Sequence, residues 1–137
     1  MKISARLYND RGKQNIRLMT NGASHSINIP PKAGGNGSSI NGGELLFLAM
    51  ATCYCNDIYR EAAKRSITIK RVDVEAEGEF GSEGEPARNI NYRVKLEADA
   101  SDEDILNLMR YVDKVAEIQN TLRNQNDVTL NNIEIIT

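Results

Sequence analysis

Tryptophan is absent from this chain and aromatic residues make up only 5% of it. The stacking platforms that hold single-stranded nucleic acid are therefore not expected. No run of Lys and Arg occurs, and the formal net charge is −2. A phosphate-binding basic face is missing with it, which argues against a nucleic-acid partner. Long apolar runs are missing too. The longest, Leu45 to Ala51, falls far short of the roughly 20 residues that cross a bilayer as a helix. The opening residues MKISARLYND hold no apolar signal core, so a cytoplasmic location and no membrane partner are expected. The chain has two cysteines and one histidine. Those numbers suit neither a disulfide framework nor a conventional zinc site, and no metal or cofactor is expected.

What is present is an ordinary globular composition, 40% hydrophobic and 26% charged over 137 residues. That length predicts a single domain, residues 1–137. Residues 2–8 alternate apolar and polar through Ile3, Ala5 and Leu7 and read as a half-buried strand. Strands over 15–20 and 24–29 follow, with Asn21-Gly22 as a hairpin turn between them. Pro30 to Gly43 holds five of the ten glycines and two of the three prolines, the composition of a functional or disordered loop. Glu44 to Lys64 reads as a long helix, apolar all round in its first half and amphipathic in its second. The first half is expected to be buried on every side, and the second to emerge into solvent.

Residues 67–80 form a strand whose apolar parity slips between Ile69 and Val72, which predicts a β-bulge near Lys70-Arg71. A strand over 90–98 alternates cleanly. Ser101 is the expected N-cap of a helix through Ile105, Leu108, Met109 and Val112. Ala116 to Arg123 is a separate short helix, and 128–136 closes the chain as a strand. The order βββ-α-ββ-αα-β segregates strands from helices, so the fold class is α+β.

Chemistry concentrates on the long helix. Cys53 and Cys55 lie two residues apart there, about 200° around the axis, so they face opposite ways and cannot join as a disulfide. On residue type alone, both read as small core residues. The segment Gly42-Gly43-Glu44-Leu45-Leu46-Phe47-Leu48-Ala49-Met50-Ala51-Thr52-Cys53 resembles the pattern P-x-E-L-L-x-x-A-x-A-x-C of the OsmC/organic hydroperoxide resistance family. Ala116-Glu117-Ile118-Gln119-Asn120-Thr121-Leu122 is similar to that family's second motif, C-P-(I/V)-x-N-T-L. The resemblance implies an OsmC-like fold with a long buried central helix, in an intertwined homodimer with sites at the subunit interface. It implies a thiolate at Cys53 that reduces organic hydroperoxides in a peroxiredoxin-like cycle. A second Cys resolves the sulfenic acid in that family, and an Arg–carboxylate pair lowers the thiol pKa.

The chemistry has its own demands. Only the thiolate attacks, so a cation must favour it. The departing alkoxide needs a donor, and the sulfenic acid needs a thiol. Here the resolving position is Ala116, which carries no sulfur, so a cycle would be one-Cys with an external thiol as reductant. Glu44 is the carboxylate candidate, although the hydroperoxide branch has its Glu one residue earlier. Its plainer role is a first-turn residue favoured by the helix dipole. Arg17 on the second strand is the catalytic cation candidate, with Arg11 behind it, and a solvated strand residue is the plainer reading. His25 reads as a packed or surface residue, and Asn120 and Thr121 as helix-end hydrogen-bonding groups. Asp57, one turn beyond Cys53, would raise the thiol pKa unless paired with Arg or Lys. The alternative function is a non-enzymatic protein of this fold that binds an apolar small molecule at the dimer interface, with Cys53 as lining. A structural role, with Met50 and Tyr54 filling that pocket, is a third.

Overall fold

The alternating strands and tight Gly turns of the first forty-odd residues fold as a meander. In the computed structural model, which describes residues 1–124 and 126–136, strands β1 (Ile3–Asp10), β2 (Lys13–Thr20) and β3 (Ala23–Ile27) pair antiparallel in the order β1-β2-β3. Asn21 (φ 48°) and Gly22 (φ 84°) are both left-handed, the conformation of a two-residue I′ hairpin turn. Arg11 (φ 50°) and Gly12 (φ 87°) repeat it between β1 and β2. The Pro/Gly loop is ordered by its own backbone: Ser39 N–H donates to Pro30 O at 3.0 Å and Lys32 N–H to Gly37 O at 2.7 Å.

The chain divides into two compact units, Met1–Leu46 and Phe47–Thr137. The meander and the loop make the first. Its buried apolar residues are Ile16 and Ile29. All eight residues of β1 are exposed, so the half-buried strand expected there is exposed on both faces.

Helix α1 (Gly42–Lys64) begins in the first unit and continues through the second, where it is followed by β4 (Thr68–Glu79), β5 (Arg88–Asp99), α2 (Asp102–Val115) and α3 (Glu117–Arg123). β4 and β5 form a two-stranded antiparallel ladder. Its register shifts between Ile69 and Arg71, the bulge that the parity slip predicted. The bulge keeps Ile69 and Val72 on one face, where Val72 pairs Leu96 and Val74 pairs Val94. That face packs on Tyr54, Ile58 and Ala62 of α1 and Leu108 and Val112 of α2, which form the core. A Cβ at Gly78 would meet Phe47 Cζ at 2.7 Å, so the bare backbone there admits the Phe47 ring. The opposite face of the ladder is charged, with Arg71–Glu97 at 2.7 Å and Arg93–Glu75 at 3.2 Å. Such exposed pairs contribute at most about 1 kcal/mol each.

Two further expectations are corrected. The terminal strand over 128–136 does not form: no ladder includes it, and Val128, Leu130, Ile133, Ile135 and Ile136 are exposed. A strand needs a hydrogen-bonded neighbour, and none of the described residues supplies one. Burial of α1 is also redistributed. Its first half is not enclosed on every side, since Leu48 is 59% exposed. The deepest burial runs along one stripe, Met50, Tyr54, Asp57, Ile58, Glu61 and Ala62, most of it in the second half. Helical spacing puts these residues on one face, and the core cluster includes three of them.

Candidate functional site

The start of α1 is set by a reciprocal cap. Glu44 N–H donates to Asn41 Oδ1 at 2.8 Å, and Asn41 N–H donates to Glu44 Oε1 at 3.1 Å. This capping box satisfies two otherwise orphaned backbone donors. One carboxylate oxygen of Glu44 is therefore engaged locally, and the side chain is exposed. Arg17 lies mid-β2, opposite Arg6 on β1 and Ser26 on β3, and it is exposed. No hydrogen bond or ion pair joins Arg17 to Glu44 among the described residues of the first unit. His25 is exposed on β3 opposite Leu18.

Cys53 and Cys55 are both free thiols and both half-buried on α1. A half-buried thiol can meet a small reactant, whereas a fully buried one is inert. Asp57 is paired: Arg60 Nη1 donates to its Oδ1 at 2.7 Å. Glu61, nearly buried, accepts from Lys64 at 2.9 Å, from Arg60 at 3.3 Å and from Arg65 at 3.2 Å. The Lys64 bond, helped by both arginines against the cost of burial, holds its carboxyl below the ordinary value. These bonds keep the second half of α1 charge-balanced while it packs on the core.

Ala116 closes α2 and opens α3, and it is fully buried. Ser101 caps the start of α2, accepting from Asp104 N–H at 3.2 Å, as expected. Around the α2–α3 junction the structure adds residues that the sequence pattern did not single out. The Tyr92 hydroxyl donates to Asp113, and Arg123 donates to the same carboxylate at 2.6 Å and to the Asp113 carbonyl at 3.0 Å. Burial pushes the Asp113 carboxyl up, but the bonds from Tyr92 and Arg123 outweigh it and hold the group low. Tyr54 donates to Met109 O at 2.8 Å. Its phenol is pushed up to about 12, first by burial and then by the Asp113 charge. Gln119, 2% exposed, donates through Nε2 to Met50 O at 3.1 Å, tying α3 to α1. The one available signal was Gln119 on the buried side of a short helix, three residues from Ala116. Among the described residues no cluster of His, Cys, Asp and Glu could hold a metal ion, and no helix is long and apolar enough to cross a membrane.

Antiparallel sheets, a long helix bearing two half-buried cysteines, and two shorter helices define an α+β protein. The family model for OsmC-like protein matches residues 35–131, and the chain belongs to that family. No curated protein sequence matches it. Among solved structures, an OsmC-like protein from Mycoplasma pneumoniae is 21% identical with a TM-score of 0.61, covering 89% of this chain and 86% of that one. An OsmC-like hydroperoxide resistance protein from Jannaschia sp. is 12% identical with a TM-score of 0.57, covering 92% and 87%. The organic hydroperoxide resistance protein OsmC from Legionella pneumophila is 20% identical with a TM-score of 0.52, covering 90% of each chain. At these identities the likeness is one of fold.

Proposed function

We propose that this chain, acting as a single OsmC-like domain in a cytoplasmic homodimer, is a one-Cys organic hydroperoxide reductase with Cys53 as the attacking thiol. The observation that carries the reading is the half-exposed Cys53 at the end of the family's helix motif. The hydroperoxide resistance proteins of the same fold support a hydroperoxide as substrate. The Cys53 thiolate attacks the distal peroxide oxygen, the O–O bond breaks, and the alkoxide leaves and takes a proton to become the alcohol. Cys53 is then a sulfenic acid. With Ala at 116, an external thiol condenses with it, releasing water. A second external thiol returns Cys53 and leaves as a disulfide. Arg17 and Glu44 are the proposed cation and carboxylate of the site.

Cys53→Ser should abolish consumption of cumene hydroperoxide with dithiothreitol as reductant, and Cys55→Ser should retain it. Undiminished turnover by Cys53→Ser would sink the reading. Glu44→Gln separates capping from catalysis, because the amide oxygen can still accept from Asn41 N–H. A catalytic carboxylate predicts lost turnover at unchanged stability. The second reading, a non-enzymatic ligand-binding member of the fold, is favoured by the loss of a resolving thiol at Ala116. It predicts no dimedone adduct on Cys53 after peroxide.

A further inference from the structure

Three Asn-Gly pairs lie in the first unit, at Asn21-Gly22, Asn36-Gly37 and Asn41-Gly42. Such a pair carries its own chemistry. The glycine backbone nitrogen can attack the asparagine side-chain carbonyl carbon, because no Cβ on the glycine blocks the approach. The three pairs have the same reactive groups, so their surroundings decide which of them reacts.

Two are held. The Asn21 side-chain oxygen accepts from Lys2 N–H at 2.9 Å, and Asn21 N–H donates to Lys2 O at 2.9 Å. The Asn41 side chain belongs to the capping box, and the Asn41 backbone carbonyl accepts from Leu45 N–H at 3.1 Å. Ring closure at either one requires the chain to leave these partners first, and that opening slows the reaction. Asn36 differs. It is exposed, and among the described residues its side-chain amide has no hydrogen-bond partner. Gly37 N–H is unbonded among them too, and a Gly37 Cβ would meet nothing within 4 Å. The Asn36 backbone carbonyl accepts from Asn9 Nδ2 at 2.8 Å. A donor therefore already faces the oxygen that gains negative charge as Gly37 N loses its proton.

We propose that Asn36-Gly37 is a self-modification site, at which Asn36 converts to isoaspartate and aspartate ahead of the other two pairs. Gly37 N bonds to Asn36 Cγ, the Cγ–Nδ2 bond breaks, and Nδ2 leaves as ammonia with the proton from Gly37 N. Water then opens the succinimide ring. Breaking its bond to the backbone carbonyl leaves isoaspartate, and breaking its bond to Cγ leaves aspartate. Either product adds a carboxylate. Isoaspartate also inserts a methylene into the backbone, inside the turn that Lys32 N–H and Gly37 O close at 2.7 Å. Carboxyl methyltransferases that use S-adenosylmethionine act on isoaspartyl carboxylates, so the modified loop is a substrate for that enzyme class. The site does not rest on the thiol reading, and Cys53→Ser should leave it unchanged.

The test follows the full-length protein in mildly alkaline buffer over days. After digestion, isoaspartate in each peptide is read by enzymatic methyl transfer, and deamidation by mass spectrometry. In the folded protein Asn36 should convert at least about fivefold faster than Asn21 or Asn41, the factor expected when hydrogen bonds must open first. In denaturant the three rates should converge. Gly37→Ala puts a Cβ beside the attacking nitrogen in open space, so it should fold normally and lose most of the methyl transfer at Asn36. Asn36→Gln should lose it altogether. Equal rates at the three pairs in the folded protein would overturn the proposal. So would a preference for Asn36 that persists in denaturant, or a Gly37→Ala variant that converts as fast as wild type.

Discussion

The two units solve the same problem differently. In residues 47–137 the apolar face of a two-stranded ladder is covered by α1 and α2, and Ile58, Leu108 and Val112 are fully buried. In residues 1–46, beside a larger, three-stranded sheet, the buried apolar residues are only Ile16 of β2 and Ile29 beyond β3, and β1 is exposed throughout. A sheet becomes stable by burying one face against another layer. The second unit owes its order to packing, and the first to hydrogen-bonded register and turn chemistry. Ile3 and Leu7 remain as an apolar face that the proposed second copy could cover.

The largest effect that tests this contrast is expected at Ile58. Ile58→Ala should cost about 2–5 kcal/mol in chemical denaturation, because it opens a void in a closed core. A loss below about 1 kcal/mol would show that the core is looser than its burial implies.

Acid should act next, and on the second unit. Glu61 and Asp113 both have folded pKa values below the ordinary carboxylate value of about 4. Their contribution to stability is therefore present above about pH 4 and lost as pH falls through the lower folded values. Glu61→Gln and Asp113→Asn should flatten the acid limb of a stability–pH curve followed by circular dichroism. An unchanged limb in the double variant would assign acid lability elsewhere.

In the first unit the sensitive position is a turn. Gly22→Val forces a β-branched residue to φ 84° and should cost about 1–2 kcal/mol, read as a shift in denaturation midpoint. The smallest effect is expected at Leu7 on β1, where Leu7→Ser in dilute protein should change stability by less than about 0.5 kcal/mol. A loss approaching that of Ile58→Ala, growing with protein concentration, would sharpen the contrast differently: the first unit would be completed by a second copy.

Local signals in the sequence suffice where local physics decides the outcome. Asn21-Gly22 made its hairpin because both residues tolerate positive φ, and the parity slip at Lys70-Arg71 became a bulge because side chains alternate with period two. Ser101 capped α2 because its hydroxyl reaches Asp104 N–H. The candidate site is less legible in the sequence. Cys53 and Ala116 stood out through the family motif, but the capping role of Glu44 depends on Asn41 three residues earlier. Gln119 and the Tyr92–Asp113–Arg123 cluster had no motif. Their partners are distant in sequence, with Gln119 and Met50 separated by 69 residues.

By itself, then, the sequence determined the α+β order up to α3, the turns, the bulge, the caps and the cysteine at the end of the helix motif. Each depends on residues within a few positions of one another. Tertiary structure decided which face of α1 is buried and which carboxylates are paired, and it leaves Gln119 Oε1 without a partner among the described residues. It also decided that residues 128–136, although alternating like a strand, do not form one among the described residues. Alternation specifies two faces of a chain segment, but a strand exists only where another backbone supplies its hydrogen bonds.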